Sequence, residues 1–238
     1  MLCIKCFTVS LSIFLALCCS SSAIAATWHG FKDGKMIKLP APAITGKNAL
    51  ESVILSRRSV RRYADKPVAL YDMAQLLWAA QGITDHRGFR ASPSAGALYP
   101  LEIYLVAGTL QDLDPGVYRY IPASHNLELI MKGDQRAALS SASLGQASIA
   151  QAPACLIIAA VYQRTAAKYG NRAVRYVHIE AGHAGQNILL QATSIGLGTV
   201  MIGAFDDRAV RKVLALPADH EPISAIPTGY PLSGFPNG

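Results

Sequence analysis

The pattern that most restricts this chain runs from Ala173 to Ile195, a long stretch of helical hydrophobic periodicity. It has small residues Ala181, Gly182, Ala184 and Gly185 in its middle and Gly196 as its stop. Small side chains let a neighbouring element come close. Two arrangements use that closeness: the helix packs on its mate in a dimer or on a cofactor, or it packs on a sheet within one subunit. Strands for such a sheet are present. Ala154 to Tyr162, bounded by Pro153, passes through Ile157, Ile158 and Val161 without polar interruption, as a strand covered on both faces does. Leu101 to Ala107 reads the same way, and Gly116 to Ile121 with Asn126 to Ile130 forms a hairpin across Pro122 to His125. Leu70 to Gln81 places Met73, Leu76, Leu77 and Ala80 on one helical face and stops at Gly82. Shorter helices are expected at Asn48 to Arg57, at Gly133 to Gln146, and from an Asp206 cap to Leu214, with strands at Gly198 to Ala204 and Pro222 to Gly229. Hairpin and crossover connections are both present, and one core suffices for a chain of this size.

The first 25 residues follow different rules. They carry one charge, Lys5, and an apolar run from Val9 to Cys19, shorter than the roughly 20 residues that span a bilayer. Ala23-Ile24-Ala25 then supplies the small residues of a cleavage site, so residues 1–25 are expected to be a signal peptide and the protein to be exported, periplasmic or extracellular. Residues 26–46, rich in Gly, Pro and Lys, read as an extended arm, and residues 47–238 as the folded domain. Loss of the signal lowers the formal net charge from +7 to +6 and removes four of the five cysteines. Cys155 is left alone, which excludes an intramolecular disulfide and a cysteine-based metal site. The remaining chain has no second long apolar stretch, so no stable membrane insertion is expected after cleavage.

Two segments carry chemistry. Ser56-Arg57-Arg58-Ser59-Val60-Arg61-Arg62 gathers four arginines directly after a helix. A phosphate suits such a cluster, because each guanidinium presents a planar fork of donors; a solvated basic face is the other reading. Nucleic acid does not suit it, since no aromatic residue is interleaved and no DNA-binding motif surrounds it. Ser92 to Pro100 is a loop of small residues that can bring backbone close to a flat ligand. It lacks the preceding strand and glycine of a nucleophile elbow. On the long helix, Glu180 and His183 with His178 resemble half of a di-iron site, but no second copy exists, and buried or interfacial histidines are expected instead.

Taken in order, the arginine-serine segment, the small-residue loop, Glu180-Ala-Gly-His183-Ala-Gly-Gln186-Asn187 and Gly196-Leu-Gly-Thr-Val-Met-Ile-Gly203-Ala-Phe205 resemble the nitroreductase family. The resemblance extends from about Lys47 to Pro231. Pro93 to Pro100 and Lys168-Tyr169-Gly170 are similar to the SagB-type dehydrogenases, whose azoline-oxidising members aromatise peptide thiazolines and oxazolines. It implies an α+β fold with a central mixed sheet flanked by helices, a homodimer with flavin sites in its interface, and bound FMN that exchanges hydride at N5 with NAD(P)H as a possible donor. The substrate would be a small molecule or a modified peptide. A flavin carrier without turnover is the alternative. By position, Arg57, Arg58, Ser59 and Arg61 would meet the FMN phosphate, ribityl chain or pyrimidine edge. Pro93, Ser94, Ala95 and Ala97 would come from the partner subunit to the isoalloxazine, and Met201, Gly203 and Ala204 would pass backbone along the ring. Lys168 and Tyr169 would carry proton chemistry. No metal is expected. Two departures matter: Ala97 and Tyr99 replace the Asn and Gln of many nitroreductases, and Gly229 to Gly238 lacks the Lys or Arg that many members use for the phosphate, a charge that Arg208 or Arg211 could help supply.

Overall fold

The computed structural model describes residues 35–232. The expected signal segment lies outside the described residues. The centre of the fold is a seven-stranded sheet. Its strands are β1 (Met36–Lys38), β3 (Leu101–Ala107), β5 (Gly116–Ile121), β6 (Asn126–Lys132), β7 (Ala154–Ala160), β8 (Gly198–Thr199) and β9 (Glu221–Gly229), in the spatial order β1-β6-β5-β3-β7-β9-β8. Every pairing in this sheet is antiparallel. The parallel component of the expected mixed sheet sits outside it, in a small ladder of β2 (Val68–Ala69) with β4 (Leu110–Gln111) and in a bridge between Ser59 and Thr199. The chain before residue 47, expected as an arm, contributes β1, which pairs with β6 as an edge strand.

The uninterrupted apolar strands are explained by two cores. In β3, Leu101, Ile103, Leu105 and Ala107 face α2 (Leu70–Gln81) and α6 (Ala173–Ser194), and in β7 Ala154, Leu156, Ile158 and Ala160 do the same. The alternate residues Tyr104, Val106, Cys155, Ile157 and Ala159 face the other layer, built from α3 (Arg136–Ala142), α4 (Ala147–Gln151) and α7 (Asp207–Val213). With helices on both faces, a period of two leaves no polar side. α6 therefore packs on the sheet of its own subunit through Val177, Ala181, Ala184 and Ile188. Asp206 caps α7, accepting from the Ala209 N–H at 2.9 Å.

Three boundaries differ from expectation, each for a local reason. The strand from Ala154 ends at Ala160, and Tyr162–Tyr169 forms α5, a short polar helix whose buried residue is Thr165. The helix expected over Gly133 to Gln146 is broken between α3 and α4, where Leu144 (φ 56°) and Gly145 (φ 72°) take the left-handed conformation that ends helices. The strand expected over Gly198 to Ala204 keeps one register, Thr199 opposite Thr228 and Ile202 opposite Ala225, but its pairing lapses between them and leaves Met201 exposed.

Burial pushes the Cys155 thiol up to about 12, and Cys155 lies in the middle layer of the fold. Because the thiolate is the reactive form, Cys155 should resist alkylation at pH 8 in the folded protein and react once denaturant is added, as peptide-resolved mass spectrometry would show.

Candidate functional site

The small-residue loop is held by α6. Glu180, buried on that helix, accepts from the Ala95 N–H at 2.8 Å and takes a further hydrogen bond from the Ser94 hydroxyl. Ser94 Oγ in turn accepts from the Tyr99 N–H at 2.9 Å, closing the loop on itself. Two turns further along the helix, Asn187 Nδ2 donates to Ala79 O and to Ser92 Oγ, each at 3.1 Å, and Ser92 Oγ donates to Ala80 O at 2.9 Å. Gly96, Ala97 and Tyr99 all have positive φ, at 62°, 55° and 47°. For the two non-glycine residues that conformation costs about 1–2 kcal/mol each, a strain found mostly at functional sites. The Glu180 clamp and Arg164, whose Nη1 donates to Tyr99 O at 3.1 Å, hold it in place.

Lys168 and Tyr169 end α5 and reach this loop. A Cβ built on Gly96 would fall 2.8 Å from Tyr169 Oη and 3.0 Å from Lys168 Nζ, so glycine is needed beneath the pair. The Tyr169 ring stands edge-on to Tyr176 at 5.1 Å, which fixes its direction from α6. The structure thus brings Pro93, Ser94, Ala95 and Ala97 together with Lys168 and Tyr169 in one chain. Pro93 and Ala97 are exposed.

The arginine segment is positioned separately. After α1 (Leu50–Ser56) the chain runs beside β8, where the Val60 N–H donates to Thr199 O at 2.9 Å and the Val60 side chain fills the space over Gly198. That pairing places Arg57, Ser59 and Arg61 alongside the chain leading to Met201, Gly203 and Ala204, all three of which are exposed. Met201 leans on α6 at Gly185, where a Cβ would lie 3.0 Å from its Sδ. Arg58 serves the helix instead, since its Nη1 donates to Leu55 O and Arg57 O at 2.8 and 2.9 Å and caps α1. Among the described residues, Arg57 and Arg61 have no carboxylate at ion-pair distance. Arg208 and Arg211 stand on α7, in the layer opposite α6. Glu180 and Gly185 are five residues apart, about 140° around the helix, so α6 meets the loop and Met201 on different faces.

His178 and His183 are both exposed on α6, not in the core. His178 Nε2 bonds Tyr162 Oη at 2.7 Å. Among the described residues no group of His, Cys, Asp or Glu could hold a metal ion. Sequence reasoning missed the clamping role of Glu180. The signal for it was a lone carboxylate among Ala181, Ala184 and Val177, which must find donors once buried.

The match to known proteins covers the loop, the arginine segment and the Lys168-Tyr169 pair. The model of the nitroreductase family fits residues 54–230. The chain belongs to the nitroreductase family. A Methanocaldococcus jannaschii protein named as a nitroreductase is 47% identical over 180 residues, 76% of this chain and 90% of its own. A crystal structure of a Ralstonia eutropha family member superposes with a TM-score of 0.73 at 29% identity, over 83% of this chain and 90% of the other. The microcin B17-processing protein McbC of Escherichia coli is 30% identical over 132 residues, 53% of this chain and 48% of McbC. This chain therefore spans about half the length of that relative. The α+β fold and the oxidoreductase class follow from the family; McbC lies on the side of the SagB-type resemblance.

Burial raises the Glu180 carboxyl above its ordinary value, against the opposing pull of the Ala95 N–H, the Ser94 hydroxyl and His183. A raised carboxyl binds its proton more tightly in the folded state, so its contribution is complete below the unfolded pKa and is lost as pH rises through the folded one. Glu180→Gln keeps an acceptor for Ala95 without the charge. Its stability relative to wild type should improve between pH 4 and 7.5 in urea denaturation. Glu180→Ala, which leaves both donors unmet, should cost about 1–3 kcal/mol.

Proposed function

We propose that this protein is an exported, FMN-dependent oxidoreductase that works as a homodimer on a small molecule or a modified peptide, with NAD(P)H as electron donor. The observation that carries the reading is the pairing of the arginine segment with β8. Two arginines without carboxylate partners lie beside an exposed run of backbone at Met201, Gly203 and Ala204. An added Cβ at Gly203 would meet nothing within 4 Å, so that run is open to a flat ring. These features fit a flavin mononucleotide, whose phosphate needs charge-assisted donors and whose ring needs close backbone. Bound FMN supplies a centre that accepts a hydride from one partner and delivers it to the next. Arg57 and Arg61 hold the phosphate and ribityl end, Ser59 adds a hydroxyl, and Arg58 keeps α1 in place.

The homodimer is supported by exposed apolar side chains, Val174 and Ile179 on α6 and Leu50, Ile54 and Leu55 on α1. A second copy would set the Pro93–Ala97 loop of one subunit against the arginine segment of the other, as the family resemblance implies. Lys168 Nζ and Tyr169 Oη, above Gly96, are the groups that would take up or return a proton as hydride moves.

Protein recovered from the exported fraction should show flavin absorbance that bleaches with NADH or NADPH and returns with an acceptor. A colourless protein that takes up no added FMN overturns the proposal, and a yellow protein that no donor or acceptor cycles is a carrier. Arg57→Ala should weaken FMN binding by about 1.5–3 kcal/mol, roughly tenfold or more, while Arg62→Ala leaves it unchanged. Lys168→Ala and Tyr169→Phe should keep their FMN and slow turnover by about a hundredfold. Turnover at the wild-type rate across pH 6–9 would remove both from the chemistry.

A further inference from the structure

The run that follows β8 is held at its two ends and at one point between them. Ile202 exchanges backbone hydrogen bonds with Ala225, each at 2.9 Å, and the Asp206 N–H donates to Ala142 O at 3.0 Å. Between these anchors, among the described residues, one hydrogen bond reaches the run: Gln146 Nε2 donates to Ala204 O at 3.1 Å. The N–H groups of Gly203, Ala204 and Phe205 meet no acceptor among the described residues.

Gln146 departs from what its own element asks of it. It stands at the N-cap of α4, where a short polar side chain would accept from the first N–H groups of the helix. Its side chain makes no cap bond and reaches out to Ala204 instead. The backbone that carries it is fixed. Ser140 Oγ donates to Gln146 O and Ser140 O accepts from the Gly145 N–H, both at 2.9 Å, while the Gln146 N–H donates to Ser143 O at 3.2 Å. Leu144, two positions earlier, holds a φ of 56°, a costly conformation for a residue with a side chain. Stability does not call for the contact, because Ala204 is exposed and water can satisfy its carbonyl. What the contact does is directional. The C=O and N–H of one trans peptide point opposite ways, so turning Ala204 O toward Gln146 turns the Phe205 N–H away from the α3–α4 turn.

We infer that Gln146 is a positioning residue of the flavin site: by holding Ala204 O it fixes how the run from Gly203 to Phe205 presents its N–H groups, and so sets how much more tightly the protein holds reduced than oxidised flavin. The assignment rests on the FMN reading above. N–H donors aimed at a flavin ring favour its electron-rich reduced form, an advantage that is lost when their direction wanders. The site is then held from both helical layers, the loop by Glu180 of α6 and the run by the turn between α3 and α4.

Gln146→Met keeps the length of the side chain and removes its donor, and Gln146→Ala removes both. In dye-equilibrated reductive titrations of the FMN-loaded full chain, both should lower the midpoint potential alike, by a roughly threefold to tenfold loss of preference for reduced FMN, about 15–30 mV for a two-electron couple. Arg57→Ala, which weakens binding through the phosphate, should leave the potential unchanged. Ser141→Ala, on the same turn of chain but bonded only to Ala137 O among the described residues, should change neither affinity nor potential. Circular dichroism of both Gln146 variants should match wild type. An unchanged potential in Gln146→Met, or a shift in Gln146→Ala alone, assigns Gln146 to packing and overturns the inference, and a changed circular dichroism spectrum in either assigns it to the fold and does the same. A protein that takes up no FMN overturns the flavin reading and the assignment with it, whereas bound FMN with an unmoved potential overturns the assignment alone.

Discussion

A carboxyl buried in an apolar helix must be met by donors, and in this protein that requirement ties the fold to its site. Glu180 sits among small and branched residues of α6, and the donors that satisfy it are the Ala95 N–H and the Ser94 hydroxyl of a loop 85 positions earlier. The loop could not keep three residues at positive φ without that anchor and the contacts to Tyr99. The rest of the helix is arranged to leave the anchor where it is. Val177, Ala181, Ala184 and Ile188 fix α6 on the sheet, and Asn187 holds the start of the loop through Ser92.

The same helix accounts for the second half of the site. Gly185 lets Met201 approach, and the interrupted edge strand that follows β8 gives Gly203 and Ala204 their exposure. A fully paired strand would have kept those backbone groups for the sheet. The arginine segment is fastened to β8 by the Val60 N–H and by the Val60 side chain over Gly198, so its charges are placed by backbone pairing and packing, leaving Arg57 and Arg61 without carboxylate partners among the described residues. Site and scaffold thus share residues. Glycine is used where a neighbour must come close, at Gly96 beneath Lys168, at Gly185 beneath Met201 and at Gly198 beneath Val60.

Membership of the nitroreductase family places this arrangement among oxidoreductases. The departures at Ala97 and Tyr99 gain a physical meaning in the structure. Tyr99 is enclosed by Arg90 and Arg164 and serves the shape of the loop, and Ala97 is an exposed small residue at its crest. Neither offers the amide that many relatives have there. The loop therefore presents backbone and small side chains, and the polar character of its surroundings comes from Arg90 and from Arg164 and Lys168 of α5.

By itself the sequence determined what depends on neighbours along the chain. Apolar runs bounded by turn residues placed β3 and β5, and three-to-four spacing placed α2 and α6, to within a residue or two, because burial on one face or on both leaves a local record. The arginine segment and the loop stood out as short runs of particular residue types, whereas the Lys168-Tyr169 pair came only from the resemblance to the SagB-type dehydrogenases. Tertiary structure decided what depends on distant partners. The antiparallel course of the sheet, the lapse in pairing that exposes Met201 and the clamp made by Glu180 were not legible. Each is fixed by hydrogen bonds or packing that the local pattern does not record, in most cases with residues far along the chain. α5 was missed because its residues are short or polar and reveal a helix only when packed on α6. A buried carboxyl announces that it needs donors, but only the folded chain shows that they belong to the loop.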